Sequence, residues 1–181
     1  MQICTSERLV MRLFNAGDAA FIHRLLNEEG WLRFIGNRSI DSLDAARRYI
    51  DEVVLARQAS HGFSFYAVER KEDGVVLGMC GLVKRDTLDD VDIGYAFLVE
   101  HCGQGYAVEA ARAVMDYARD VLRLPRLLAI TSPDNERSIR VIEKLGMRFE
   151  ARKPFGELAQ DANVYACRFN AAESKVRRAA S

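Results

Sequence analysis

The stretch Val91-Asp-Ile-Gly-Tyr-Ala-Phe-Leu-Val-Glu-His-Cys-Gly-Gln-Gly-Tyr-Ala-Val-Glu-Ala-Ala111 decides the fold. Its opening, Val91–Val99, reads as a strand. A loop carrying Gly103 and Gly105 follows, and a helix, Ala107–Val121, begins at once. Glycines in such a turn admit positive φ and let a ligand approach the backbone. The helix start offers unpaired N–H groups and the positive end of its dipole, which together make an anion site. Ala107, Ala110, Ala111, Val114, Met115 and Ala118 recur at helical spacing, the stripe of a helix packed on a sheet. A pyrophosphate is the anion that suits this strand, loop and helix.

Two common phosphate motifs do not fit. G-x-x-x-x-G-K-[ST] is absent. Gly103-Gln104-Gly105 lacks the third glycine of G-x-G-x-x-G, because Val108 stands there. The strand before the loop is also the fourth, whereas a dinucleotide fold places its loop after the first. Two glycines alone are compatible with a plain tight turn, so the surrounding chain has to decide.

Working outward, Arg8–Phe14 alternates apolar and polar residues as a first strand. Asp18 precedes a helix with Ala19, Ile22, Leu25 and Leu26 on one face, ended by Gly30. Asp41 or Ser42 caps a second helix reaching about Ser60. Phe63–Arg70 and Val75–Lys84 form a hairpin around Asp73-Gly74. Beyond the central helix, Arg126–Thr131 is a fifth strand, Asn135–Leu145 a helix stopped by Gly146, and Met147–Arg152 and Asn163–Phe169 the last strands. The expected class is α/β: one mixed sheet of about seven strands with helices on its faces and a parallel crossover from Val91 to Thr131.

The chain has 181 residues, with 26 Lys+Arg against 26 Asp+Glu. Zero formal net charge argues against a dominant nucleic-acid or anionic-membrane partner. No window approaches the ~18 apolar residues of a membrane span. Met1–Glu7 lacks the apolar core of a signal peptide. Cys4, Cys80, Cys102 and Cys167 show no C-x-x-C spacing, so no metal site is expected and free thiols in the cytoplasm are. Residues 5–170 form one domain. Residues 171–181, with Lys175, Arg177 and Arg178, read as a solvated tail.

The motifs together resemble the GNAT superfamily of acetyl-CoA-dependent N-acetyltransferases. The family's Q/R-x-x-G-x-G/A signature is similar to Glu100-His-Cys-Gly-Gln-Gly105, with Glu100 in place of Gln or Arg. Asp92-Ile-Gly-Tyr95 resembles its acidic-x-Gly-Tyr strand. Asn135-Glu-Arg-Ser138 and Glu143-Lys-Leu-Gly-Met147 resemble its N-x-x-S…E-K-L-G-F run. Thr5–Leu13 and Phe34-Ile-Gly-Asn-Arg-Ser39 resemble the branch containing ribosomal-protein N-terminal acetyltransferases. The likeness covers roughly residues 5–170.

The resemblance implies that the fourth and fifth strands splay apart and that the pantetheine of acetyl-CoA lies between them. Main-chain groups of Phe97, Leu98 and Val99 would pair with it. The pyrophosphate would sit on amides of Gly103, Gln104, Gly105, Tyr106 and Ala107. The Tyr106 ring is equally a packing residue. Asn135 either caps its helix or hydrogen-bonds pantetheine; the resemblance favours the second, with Ser132 and Asp134 as alternative caps. Ser138 would donate a proton to the departing thiolate, whose thiol pKa of ~8.5 makes it a good leaving group.

The acceptor must be a neutral amine, yet an alkyl ammonium of pKa ~10.4 is mostly charged at pH 7. A base is therefore needed. Asp92 is the first candidate and otherwise a salt-bridged strand carboxylate; Glu69 is another, and His101, before the glycine loop, reads as facing solvent or phosphate. His23 and His61 read as structural. Cys102 has no companion base and is not read as a nucleophile. No covalent catalytic constellation stands out, consistent with direct transfer, in which proximity supplies at most about 7–11 kcal/mol. A strand N–H near Leu98 would be the oxyanion donor.

Trp31, Phe34, Asn37, Arg38 and Tyr95 would line the acceptor cleft, although Trp31, Phe34 and Tyr95 equally suit a core. A small-molecule amine and a protein N-terminus are both open, as are monomer and homodimer. The alternative from another class is a non-catalytic CoA-binding or interaction module.

Overall fold

One sheet of eight strands runs through the computed structural model in the order β1-β2-β3-β4-β5-β6-β8-β7. The structure describes residues 1–155 and 160–169. The strands are β1 Gln2–Thr5, β2 Leu9–Arg12, β3 Phe65–Arg70, β4 Val76–Val83, β5 Asp92–Phe97, β6 Arg126–Thr131, β7 Arg148–Phe155 and β8 Gln160–Arg168. The helices are α1 Ala19–Leu26, α2 Glu29–Phe34, α3 Leu43–Tyr49, α4 Ala56–His61, α5 Tyr106–Asp120 and α6 Glu136–Lys144. The expected tail, residues 171–181, lies outside the described residues.

The mixed α/β class holds, with one strand more than the sequence suggests. Gln2–Thr5 is too short and polar to show a period, yet it pairs antiparallel with β2 across Cys4↔Met11 and Thr5↔Val10. Gly30 does not end the first helix. Asn27 does, its amide donating to His23 O and Ile40 O at 2.7 Å each. Gly30 instead lies in the first turn of α2. The expected long helix after Ser42 is interrupted. Ser42 accepts from Ala45 N at 3.1 Å and caps α3, but Ile50–Leu55 widens into π-helical winding before α4 begins.

Strand alternation places two cores on opposite faces of the sheet. Tyr66 and Val68 point into a core shared with Leu9, Met11, Val114 of α5 and Ile142 of α6. Ala67 points the other way, with Met79, onto Ile22 and Leu26 of α1, Trp31 of α2 and Ile50. Most of these side chains are fully buried.

The sheet parts at its centre. β5 pairs with β4 along its whole length, from Gly78↔Phe97 to Val83↔Asp92. With β6 it shares one parallel pairing, Asp92↔Leu128. Beyond Asp92 the two strands splay, as the resemblance implied. β6 continues antiparallel with β8 from Arg126↔Arg168 to Thr131↔Asn163.

Candidate active site

The gap between β5 and β6 leaves a row of backbone groups without a strand partner. Leu128 N donates to Val91 O at 2.9 Å, and Leu98 N donates to Leu77 O at 3.1 Å. Successive residues of a strand turn their N–H and C=O groups to alternate sides. Odd-numbered residues of β5 therefore face the gap, and even-numbered ones face β4. Of the strand N–H groups near Leu98, that of Leu98 itself is excluded, and its expected main-chain pairing with pantetheine is corrected, because the group is spent on β4. The N–H groups of Tyr95 and Phe97 face the gap instead. Val99 N is also engaged, donating to the Glu28 carboxylate at 3.1 and 3.3 Å.

Past β5 the chain makes a single tight turn, Val99–His101, and enters the glycine loop. Gly103 and Gly105 both adopt left-handed conformations, with φ of 80° and 83°. A side chain at either would be strained. Gly105 precedes α5, and no side chain caps that helix. Its first-turn amides are left for water or a ligand. Tyr106 is a packing residue: its ring is buried in the α5 core under the Arg8 guanidinium, 4.4 Å from the centroid. Only its backbone can serve a ligand at the loop. The Cys102 thiol is pushed up by burial, the Arg137 charge opposing, which favours the thiol over the nucleophilic thiolate.

Two predicted residues meet across the cleft. The Tyr95 hydroxyl lies 3.1 Å from Ser138 Oγ and donates to Ser138 O at 3.1 Å. Burial raises the Tyr95 pKa, the bond to Ser138 opposing it, so the phenol is protonated at neutral pH. Ser138 is held from behind: its N–H donates to Asn135 Oδ1 at 3.1 Å. Asn135 is thus the cap of α6. The expectation that Ser132 or Asp134 would free it is overturned, since Ser132 Oγ donates to Asp134 Oδ1 at 2.6 Å. Asp134 in turn pairs with Arg33 of α2 at 3.2 Å. The cap uses the Asn135 carbonyl oxygen and leaves its NH2 group for a ligand.

The structure does not bring Asp92 to this pair. Its side chain is 1 % exposed, accepts from Arg85 Nε at 2.9 Å, and alternates to the sheet face opposite Tyr95. A buried carboxylate held by a guanidinium on that face has no access to an amine at Ser138. Glu69 is likewise occupied, by Arg12 Nε at 2.7 Å. His101 Nε2 is 3.5 Å from Glu100, and Glu100 pairs with Arg24. His61 Nδ1 bonds Ser60 Oγ at 2.7 Å.

Of the acceptor residues, Trp31 is core, 6 % exposed among α1 and α3 residues. Phe34 is half-buried beside the Arg33 guanidinium, 4.8 Å from its centroid. Asn37 Oδ1 accepts from Ser39 N at 2.7 Å, in a turn bent by Gly36 and Ser39 at positive φ. Arg38 follows in that turn and bears electrostatically on Tyr49, together with Arg57 and Arg85. Among the described residues no group of His, Cys, Asp and Glu is arranged to hold a metal. No helix of the described residues is long and apolar enough to cross a membrane.

Sequence reasoning missed what braces the loop. Glu109, in the first turn of α5, accepts from Ser6 Oγ at 2.7 Å, Arg8 N at 2.8 Å and Arg8 Nε at 2.7 Å. Residues a hundred positions apart carry no one-dimensional signal of that pairing.

A splayed central strand pair, a helix start with no side-chain cap after left-handed glycines, and a hydroxyl pair across the cleft thus meet in one α/β fold. The family profile described as "Acetyltransferase (GNAT) domain" matches residues 8–148, and the chain belongs to that family of acetyltransferases. It is 39% identical over 94 residues to the uncharacterized protein YkkB of Bacillus subtilis, covering 51% of this chain and 55% of that one. It thus spans about half the length of that relative. It is 27% identical over 149 residues to the uncharacterized N-acetyltransferase YoaA of the same organism, covering 82% and 84%. A GNAT acetyltransferase structure from Bacillus anthracis superposes with a TM-score of 0.77 at 26% identity, over 93% and 98% of the two chains. A structure of RimL, a ribosomal L7/L12 alpha-N-protein acetyltransferase in complex with coenzyme A, shares the fold with a TM-score of 0.79 at 19% identity, over 94% and 99%.

Proposed function

We propose that the protein transfers the acetyl group of acetyl-CoA to a primary amine by direct attack in a ternary complex. The observation that carries this reading is the unpaired inner edge of β5, which leads straight to the uncapped start of α5. That edge suits an extended amide chain, and the helix start suits a diphosphate. Acetyl-CoA, when bound, supplies an acyl group already activated as a thioester. Phe97 would pair with the pantetheine arm through its main chain, with Leu98 and Val99 shaping the turn beyond. The amides of Gly103, Gln104, Gly105, Tyr106 and Ala107 would take the diphosphate, and the Asn135 NH2 group an amide of the arm.

The protein's own chemistry centres on Ser138 and Tyr95. The attacking nitrogen forms a bond to the acyl carbon as the carbon–sulfur bond breaks. The Ser138 hydroxyl gives its proton to the departing sulfur and recovers one from water, which takes up the proton the ammonium loses, while the Tyr95 hydroxyl holds Ser138 in place. The Tyr95 and Phe97 N–H groups are placed to stabilise developing negative charge on the acyl oxygen. The ammonium proton leaves through water, because no described carboxylate reaches the pair.

The acceptor is a protein N-terminus or a small-molecule amine, reached past Phe34, Asn37 and Arg38. The neighbouring RimL structure is named for acetylating a protein α-amine, which supports the first. The compartment we infer is the cytoplasm, and the assembly a monomer or homodimer. Release of free CoA thiol tests the function against a panel of amines and N-terminal peptides. Acceleration by one amine is expected. CoA binding without acceleration by any of them would make the protein a non-catalytic CoA-binding module.

A further inference from the structure

The peptide plane between Gln104 and Gly105 is held from outside the loop. Arg8 Nη2 donates to the Gln104 carbonyl at 3.2 Å. All peptide bonds of the described residues are trans, and a trans peptide sets its C=O and N–H on opposite sides. Fixing the carbonyl toward Arg8 therefore turns the Gly105 N–H away from Arg8, to the other side of the loop. The left-handed glycines at 103 and 105 permit many backbone arrangements, and Arg8 selects one.

Arg8 is itself tied to Glu109. Glu109 takes its Nε at 2.7 Å and its Nη2 at 2.6 Å, and also the Arg8 backbone N–H. The guanidinium carbon lies 4.4 Å from the centroid of the Tyr106 ring. Burial works against the Glu109 charge, but the Arg8 and Ser6 donors outweigh it and hold its carboxyl below the usual range. Lys71 Nζ donates to Ser6 O at 2.6 Å and braces the same corner from β3's end. One guanidinium thus ties the first turn of α5 to the loop before it. Its rigid fork of donors makes both bonds at once, which a lysine ammonium cannot reproduce in that geometry.

We propose that Arg8 is a positioning residue for acyl-donor binding: through the Gln104 carbonyl it aims the Gly105 N–H at the diphosphate. The inference rests on the acetyl-CoA reading above. Arg8 touches no reacting atom, so its effect belongs to donor affinity and not to the chemical step.

The test compares two donors, acetyl-CoA and S-acetylpantetheine, which lacks the diphosphate. Arg8→Gln is expected to raise the Kd and KM for acetyl-CoA about tenfold, the worth of one charge-assisted hydrogen bond. The kcat and the kcat/KM for S-acetylpantetheine should stay within about twofold. Arg8→Lys keeps a charge beside Glu109 and should recover part of the affinity; it also serves if Arg8→Gln fails to fold. An unchanged acetyl-CoA Kd in both folded variants would overturn the proposal. So would an equal loss with both donors, which marks general damage. A wild-type protein that binds neither CoA nor acetyl-CoA would instead remove the acetyl-CoA reading itself.

Discussion

The hydroxyl of Tyr95 sits 3.1 Å from the hydroxyl of Ser138, joining β5 to α6 across the gap where β5 and β6 part. Each residue is placed by its own half of the sheet. Tyr95 is aligned by β4 through Cys80↔Tyr95, and Ser138 by the Asn135 cap. The contact therefore reports the width of the cleft as well as its chemistry.

Removing either hydroxyl should slow turnover without weakening donor binding. Ser138→Ala is expected to lower kcat roughly tenfold, the low end for a general acid because the thiolate leaves readily. Tyr95→Phe should lower it by less, since Ser138 still exchanges its proton with water. The double variant should be no worse than Ser138→Ala, because the Tyr95 hydroxyl acts through Ser138. Acetyl-CoA Kd by titration calorimetry should be unchanged in all three. Full turnover by Ser138→Ala would remove it as the acid.

Asp92→Asn separates a structural carboxylate from a base. Breaking a buried ion pair costs about 3–5 kcal/mol, so the thermal midpoint should fall sharply, and Arg85→Gln should fall with it. The pH–rate profile measured below the new midpoint should keep its shape. Loss of its acidic limb at unchanged stability would restore Asp92 as the base.

Gly105→Val tests the loop. At φ 83° a β-branched residue is strained, and relief of the strain would move the amides off the helix start. Acetyl-CoA affinity is expected to fall more than about tenfold, while α5 remains folded by circular dichroism. Unchanged affinity would detach the glycine loop from the cofactor.

Alkaline pH should destabilise the fold through its buried thiols. The Cys4 thiol is pushed up to about 12 by burial, with the Asp116 carboxylate adding to it. Burial raises the Cys80 thiol in the same direction. In the unfolded chain a thiol ionises near ~8.5. The unfolded state thus loses these protons first, and stability falls as pH rises from about 9 toward about 12. Thermal midpoints at pH 7, 9 and 10.5 should decline, and Cys4→Ala should flatten the first part of the slope. A midpoint independent of pH up to 10.5 would contradict the burial of these thiols.

Local sequence determined most of the elements and the glycine turn that leads into the central helix. Alternation and helical spacing located most strands and helices. Gly103, Gly105 and the small stripe Ala107–Ala118 located the left-handed turn into a helix packed on the sheet, because backbone strain and close packing are local demands. Short polar β1 and the α1–α2 break escaped, since four residues show no period and Asn27 acts through Ile40 O, a distant group. Tertiary structure alone decided which side chains meet. It set Tyr95 on Ser138 and turned Asp92 to the opposite face with Arg85. It spent the Leu98 N–H on β4, sank Trp31 into the core, and joined Arg8 to Glu109 and Gln104. These outcomes depend on strand order and on the side to which each strand turns its alternate groups. Such relations arise only when distant segments pair, so no stretch of the chain read alone contains them.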